Sequence, residues 1–357
     1  MSERLFLVES DAKGLRAALV ENRRLQAIEI DRGPHTRQVG SVQPARVVRA
    51  ARGLGTFIRL DDGREFLLDS EINKTNQSLV VQIRRLPRGG KLGTASQSVS
   101  LAGHGVIHLP FDSGTHFSRR LTADRSRQME LTAAVVDRSG GWIFRQTAAL
   151  VPGEDLAAEI AALAADGAAA RSGVTIEGPD AFRRLASDYG APVPDRVLTA
   201  GMAAKKAVEA WCDRFAPGLK ARVVAAEPGL FDHYDLDEAI AGLAKSRAPL
   251  AGGGWLSIEP TEALVVVDVN SGHEKNILSA NLEAVDEIAR QLKLRHLGGL
   301  IAIDFISMNR PADRARVVAA LKSAMANDPA RVHILPMSAF GLVEMTRERR
   351  GPGLELE

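Results

Sequence analysis

A single cysteine, Cys212, leaves no partner for an internal disulfide and excludes a zinc cage built from cysteines. A lone thiol fits a reduced, cytoplasmic setting. An excess of one charge is also lacking: 46 Lys and Arg stand against 44 Asp and Glu, a net +2. Any nucleic-acid surface must therefore be a local patch. No apolar run approaches the roughly 20 residues that cross a bilayer, so no membrane association is expected. The opening stretch MSERLFLVESDAKG breaks its apolar run with Glu9 and Asp11, unlike a secretory signal. There is no internal repeat and no low-complexity tail. What remains is 45% hydrophobic and 25% charged, a globular composition. The 357 residues suffice for two or three domains at about 150 residues each.

Along the chain, residues 1–37 read as strand, helix and strand: RLFLVES, AKGLRAALVENRRL and QAIEI. From about Gly40 to Leu101, short β-like segments (ARVVRAA, TFIRL, EFLLD, LVVQIRRL) alternate with turns such as DDG and RGGK, which predicts a small all-β barrel. More strand-like pieces, GVIHLPF and GGWIFRQTA, flank an Arg-rich segment, SRRLTADRSRQME. In EDLAAEIAALAADGAAA, Leu156, Ile160 and Leu163 recur at helical spacing. Then come a helix (DRVLTAGMAAKKAVEAWCDRF), a strand (LKARVVAAE), a helix (DLDEAIAGLAK) and a turn (PLAGGGW). The last hundred residues alternate strand and helix.

Two features of that last segment carry chemistry. ALVVVDVN and LIAIDF are both β-branched, apolar strands, and each places an aspartate near its end, Asp268 and Asp304. Between them NLEAVDEIARQLKLRHLGG predicts a helix with the apolar stripe Leu282, Val285, Ile288, Ala289 and Leu292, capped by Asn281 and stopped at Gly298-Gly299. If the strands are parallel neighbours, both C-terminal ends reach the same sheet edge. Asn270, two residues beyond Asp268, would face the same way. Two carboxylates and an amide are hard oxygen donors that suit Mg²⁺ with waters and phosphate oxygens, and a cation between them would relieve their repulsion. Strand-end aspartates also cap turns or pair with arginine, and the residues alone leave both readings open.

TEALVVVDVNSG, ANLEAVDEIARQLKLRHLGGLIAIDFISM and FGLVEMTRERR closely resemble the catalytic region of the ribonuclease E/G family. GLFDHYDLDEAI, GWLSIEPTEAL, VSLAG and SRRL resemble it upstream. The resemblance implies a multidomain α+β and α/β architecture. In it, an RNase H-like subdomain (1–37 and 176–245) is split by an S1, OB-type barrel (38–98) and a 5′ sensor (99–175). A DNase I-like catalytic subdomain (246–357) follows. It further implies a cytoplasmic endoribonuclease that cuts single-stranded RNA with Mg²⁺, or Mn²⁺ in its place, leaving 5′-phosphate and 3′-hydroxyl ends. The family's metal-binding aspartates fall on Asp268 and Asp304, and its supporting asparagine on Asn270.

The same resemblance assigns RNA contacts in the barrel to Phe57, Phe66 and Lys91. Stacking on such a surface suits single strands, while Phe66 reads equally well as barrel core. Lys91, with Arg84, Arg85 and Arg88 nearby, reads as a phosphate-contacting edge or a solvated turn. Sensor positions fall on Gly103, Ile107, Arg145 and Arg331. There the family's arginine–threonine pair is altered, with Gln146 beside Arg145 and Thr147 shifted by one. On a strand Thr147 would face away from Arg145. The family's cysteine pair, which shares zinc between subunits, has no counterpart here. The expectation is therefore no structural zinc, and a monomer or a homodimer without a zinc link. His104, His108 and His333 read as satisfied or exposed side chains rather than ligands. Two other functions compete: a non-catalytic RNA-binding protein, and a phosphoesterase acting on DNA or nucleotides.

Overall fold

The computed structural model describes residues 3–12, 14–31, 38–51, 55–72, 74–87, 90–135, 139–273 and 276–350. The chain divides into two units, residues 1–23 with 28–230, and residues 24–27 with 231–357. Among the described residues no helix is long and apolar enough to cross a membrane.

The chain opens with a β-meander, β1 (Arg4–Asp11), β2 (Gly14–Glu21) and β3 (Arg24–Ile30). The segment around β2 was expected to be helical, because Leu and Ala dominate it. A two-residue turn overrides that propensity: Asn22 and Arg23 both take positive φ, 51° and 60°, the geometry that folds a strand back on itself. β2 then pairs with β1 in register from Arg4↔Glu21 to Asp11↔Gly14.

The barrel follows: β4 (Val42–Ala51), β5 (Gly55–Leu60), β6 (Glu65–Leu68), β7 (Ser78–Arg85) and β8 (Gly93–Ser96). It closes in the order β4-β5-β6-β8-β7. The contact between β6 and β8 is parallel. Its interior is filled by Val47, Ile58, Leu60, Phe66, Leu68, Val81, Ile83 and Ala95. A closed five-stranded barrel of this order is consistent with an S1/OB-like domain.

Next is a four-stranded sheet, β11-β12-β10-β9, made from β9 (Leu101–Ala102), β10 (Val106–Leu109), β11 (Thr115–Phe117) and β12 (Gly141–Phe144). Helices α1 (Arg125–Ala133) and α2 (Gly153–Arg171) belong to this region, and α2 buries the expected Leu156, Ile160 and Leu163. After α3 (Ala181–Tyr189), the segment expected as one helix divides into β13 (Arg196–Ala200) and α4 (Met202–Phe215). Gly201, at φ 88°, makes the break. β14 (Val223–Ala226) completes a sheet of order β14-β13-β1-β2-β3, with β13 parallel to both β1 and β14. The aromatic rings of Phe6, Phe182 and Trp211 pack edge to face beneath it.

The remaining elements are α5 (Leu230–His233), α6 (Leu236–Gly242), β15 (Arg247–Pro249), β16 (Trp255–Pro260), β17 (Val265–Asn270), α7 (Ile277–Leu294), β18 (Gly299–Asp304), α8 (Pro311–Ala324), β19 (Val332–Ile334) and β20 (Leu342–Arg347). The strands form one sheet, β15-β16-β17-β18-β20-β19. One of its faces packs on the second unit's helices: Leu256, Val267, Ile303 and Val343 join Val285, Ile288 and Leu292 of α7 and Val317 and Leu321 of α8 in one core. The other face is open, with Val266 38% and Leu300 47% exposed. Asn276, not Asn281, caps α7, accepting the Ser279 N–H at 3.1 Å. Helix α7 begins earlier than the apolar stripe alone indicates.

Candidate active site

β17 and β18 are parallel neighbours joined through α7, and their register ends on a shared rung, Asp268↔Asp304. Alternation decides the facing. Val265, Val267 and Val269 are buried in the helix-backed core, so Val266, Asp268 and Asn270 take the open face. Asp268 and Asn270 are half-buried and Asp304 is exposed. Asn270 Nδ2 donates to Asp268 Oδ2 at 2.8 Å, so the asparagine holds one carboxylate in place. On the far side of β17, Ser257 is the partner of Asp268 and Trp255 the partner of Asn270.

Glycine backbones let a turn crowd this edge. A Cβ at Gly254 would lie 2.3 Å from the Asn270 carbonyl oxygen, and one at Gly272 would lie 2.2 Å from that of Gly253. Glu283 of α7 pins the turn by accepting the Gly252 N–H at 3.0 Å. A second anchor was not legible as one in the sequence. Asn281 is buried inside α7, donates from Nδ2 to the Ile306 carbonyl at 2.8 Å and accepts the Ile306 N–H at 3.0 Å. It fixes the segment that leaves Asp304. The only signal was an asparagine on the apolar side of a helix, which reads first as a cap.

The three barrel residues separate. Phe66 is fully buried and belongs to the barrel core, which removes it from any RNA-facing surface. The cause is register: Phe66 pairs with inward Ile58, whereas Phe57 pairs with Leu67 on the outside. Phe57 is half-buried, with the Arg49 guanidinium 4.3 Å from its ring centroid. Lys91 is exposed, as is Arg85. Arg88 lies outside the described residues.

Around Arg145 the strand expectation fails. β12 ends at Phe144, and a 3₁₀ turn runs over Gln146–Ala149. Gln146 is exposed, while the buried Thr147 hydroxyl donates to the His104 carbonyl. Arg145 donates to the Gly103 carbonyl at 2.9 Å, to Ser187 Oγ at 3.0 Å and to the Ser187 carbonyl. Ile107 lies opposite Ile143 on the adjacent strand. Arg331 is an exposed residue of the second unit. A residue that sequence reasoning did not single out shapes this loop. The fully buried Glu159 accepts N–H bonds from Gly105 and Val106 at 2.9 and 3.2 Å. Burial pushes its carboxyl up to about 7, against those bonds and the Arg145 charge. His104 packs edge-on against Trp211, and burial, with Arg145 beside it, lowers it to about 4. His108 is stacked on Trp142 in the core.

In comparisons with known proteins, the model of the family described as "Ribonuclease E/G family" matches residues 100–350. Ribonuclease G of Salmonella typhimurium (strain SL1344) is 28% identical over 394 residues, covering 98% of this chain and 81% of that protein. Ribonuclease G of Haemophilus influenzae is 28% identical over 95% of this chain and 78% of its own length. Ribonuclease E of Synechocystis sp. is 30% identical over 80% of this chain, which covers 46% of that longer protein.

Proposed function

The chain belongs to the ribonuclease E/G family, and from that premise we propose that it is an endoribonuclease that cleaves single-stranded RNA with Mg²⁺, leaving 5′-phosphate and 3′-hydroxyl ends. The observation that carries the proposal is the shared rung of Asp268 and Asp304, on the open face of a sheet whose other face is solid core. Metal-assisted phosphodiester hydrolysis needs ligands for a hard cation and room for a chain-like substrate, and the open edge offers both.

The donor set fits the ion. Two carboxylates on adjacent strands supply oxygen ligands of the number Mg²⁺ ordinarily takes from protein, and Mn²⁺ would be accepted by the same atoms. Among the described residues no group of three or more His, Cys, Asp or Glu side chains could hold a metal. Asp268 and Asp304 would hold the ion, leaving most of its positions to water and phosphate oxygens. When bound, the ion supplies charge for the scissile phosphate and acidifies an attacking water. The protein's own work is placement. Asn270 fixes the Asp268 carboxylate, and Asn281 fixes the chain leaving Asp304.

Several features support the rest of the reading. The antiparallel β1–β2–β3 meander followed by parallel β13 and β14 fits an RNase H-like subdomain into which the barrel is inserted. The helix-backed sheet of the second unit fits a DNase I-like catalytic subdomain. Phe57 and Lys91 stand as the barrel's stacking and phosphate contacts. Arg145 stands as the cation of a 5′-phosphate sensor with Gly103, Ile107 and Gln146, and its bonds to Gly103 and Ser187 leave less of it for a terminal phosphate. The enzyme would work in the cytoplasm, as a monomer or as a homodimer. The test is cleavage of a short unstructured RNA and of DNA of the same sequence, with Mg²⁺ and with chelator, by wild type and Asp304→Asn. RNA-only, Mg²⁺-dependent cleavage lost in the variant is expected. RNA binding without cleavage would sink the enzymatic assignment, and equal cutting of DNA would sink the substrate assignment.

A further inference from the structure

Phe340 is 92% exposed, far beyond any other large apolar side chain among the described residues apart from Met202 at 80%. A phenylalanine left in water forgoes a burial gain that folding normally uses, so its place in the fold is informative. It sits in a tight turn that hydrogen bonds hold shut. The Ser338 N–H donates to the Leu342 carbonyl at 2.8 Å, and the Gly341 N–H to the Ser338 carbonyl at 3.0 Å, with Gly341 at φ 89°. The ring is therefore presented by an ordered turn.

That turn lies at the aspartate edge. Leu342, two residues on, begins β20 and is the register partner of Asp304. Because β20 runs antiparallel to β18, its start lies beside the end of β18. The Phe340 backbone is thus no more than about 12 Å from that of Asp304, a span of one or two nucleotides of extended chain. On the opposite flank, Trp255 begins β16 and is the register partner of Asn270. Trp255 is half-buried with the Arg247 guanidinium 5.1 Å from its ring. Across the edge the order is therefore Trp255, Asn270 with Asp268, Asp304, then Phe340: two aromatic rings bracket the two carboxylates.

We propose that Phe340 and Trp255 are base-stacking platforms on either side of the aspartate pair, so that the cleavage centre itself selects unpaired RNA. This rests on the endoribonuclease reading above. Nucleobases in a duplex already stack on their neighbours and offer edges, whereas an unpaired base offers a face to an aromatic ring. Carboxylates between the rings repel a phosphate chain unless a cation bridges them, so stacking would hold the strand in register while the cation takes the phosphate.

The experiment measures binding and cleavage separately. On an Asp304→Asn background, RNA carrying 2-aminopurine near the cleavage point should be quenched on binding, and Phe340→Ala should remove the quench and weaken affinity roughly 10-fold. The salt dependence should not change, because no phosphate contact is lost. With Asp304 intact, Phe340→Ala should raise KM by a similar factor, Phe340→Tyr should restore it, and Trp255→Ala should act in the same direction. Thermal midpoints of the Phe340 variants should match wild type, since the ring is not part of the core. Unchanged affinity and KM in Phe340→Ala would overturn the proposal. So would rescue by Phe340→Leu as complete as by Tyr, or a change in molecular mass without a change in RNA binding, which would mark the ring as a protein contact. If wild type does not cleave RNA yet Phe340→Ala still weakens binding and quenching, the stacking role stands and the endoribonuclease reading falls.

Discussion

Asn281 holds Ile306 by both of its backbone groups, donating to the carbonyl at 2.8 Å and accepting the N–H at 3.0 Å. The grip passes from the middle of α7 to the chain two residues after Asp304, so the helix places the second carboxylate's exit as well as the sheet does. In Asn281→Ala both Ile306 groups lose their partner, at about 1–3 kcal/mol. Urea unfolding should register that loss, and kcat should fall while KM changes little. Asn281→Asp, which restores only the acceptor, should fall between the two.

Asp268→Asn and Asp304→Asn should each lower the cleavage rate by roughly 100-fold or more, the scale of losing one group that stabilises developing charge. The deficit should narrow as Mg²⁺ is raised. Because Asp304 is exposed, its variant should keep its unfolding midpoint within about 0.5 kcal/mol of wild type. Titrating rate against Mg²⁺ for both variants checks the claim, and wild-type rates at limiting Mg²⁺ would refute it.

In the barrel the two phenylalanines should behave oppositely. Phe66→Ala should cost about 3–5 kcal/mol as a core cavity. Phe57→Ala combined with Lys91→Ala should leave stability near wild type and weaken binding of unstructured RNA more than it slows the chemical step. Fluorescence anisotropy beside single-turnover kinetics separates the two effects.

Arg347 and Asp328 form an ion pair in the second unit with both side chains buried, at 2.9 and 3.0 Å. Asp328→Ala should destabilise the protein by about 3–5 kcal/mol, because it strands a buried guanidinium. Glu65→Ala, which breaks the exposed pair with Arg59, should cost no more than about 1 kcal/mol. Chemical denaturation distinguishes them.

Glu159 and His104 should give opposing pH dependences. Folding raises Glu159 from 4.5 to about 7, so the folded protein keeps a proton the unfolded chain has released. That disfavours folding as pH rises across this window. Folding lowers His104 from 6.5 to about 4, so the unfolded chain takes a proton the folded one refuses, and stability falls as pH drops. Each effect is worth at most roughly 3 kcal/mol, and they cancel where they overlap. Removing Glu159 with Gln should leave stability rising with pH up to about 6.5, and His104→Gln should leave it falling up to about 7. Unfolding free energies at three pH values test both slopes, and parallel curves for the two variants would refute the assignment.

The strand–helix–strand unit was legible in the sequence because β-branched runs and an apolar helical stripe carry different periods, and the two aspartates came with it. Elsewhere composition misled. β2 is rich in helix-forming Leu and Ala, and the deciding feature, the Asn22-Arg23 turn, is two unremarkable residues. Phe57 and Phe66 look alike in sequence, since both stand in short apolar runs, and only pairing assigns one outside and the other to the core. Arg145 was placed on a strand that ends one residue too soon. Phe340 was legible only as the first residue of FGLVEMTRERR, because a lone aromatic in a turn carries no pattern, and its exposure is set by the turn's closure.

The shared rung of Asp268 and Asp304 has a consequence for what length changes the chain can accept. Deleting or inserting one residue inside β17 or β18 would rotate an aspartate from the open side into the valine and isoleucine layer, since side chains alternate along a strand. Substitutions on the open side could accumulate without touching that parity. The number of residues in each strand, more than the identity of most of them, is therefore what such a site must preserve, while the connections through α7 and α8 can lengthen or shorten around it.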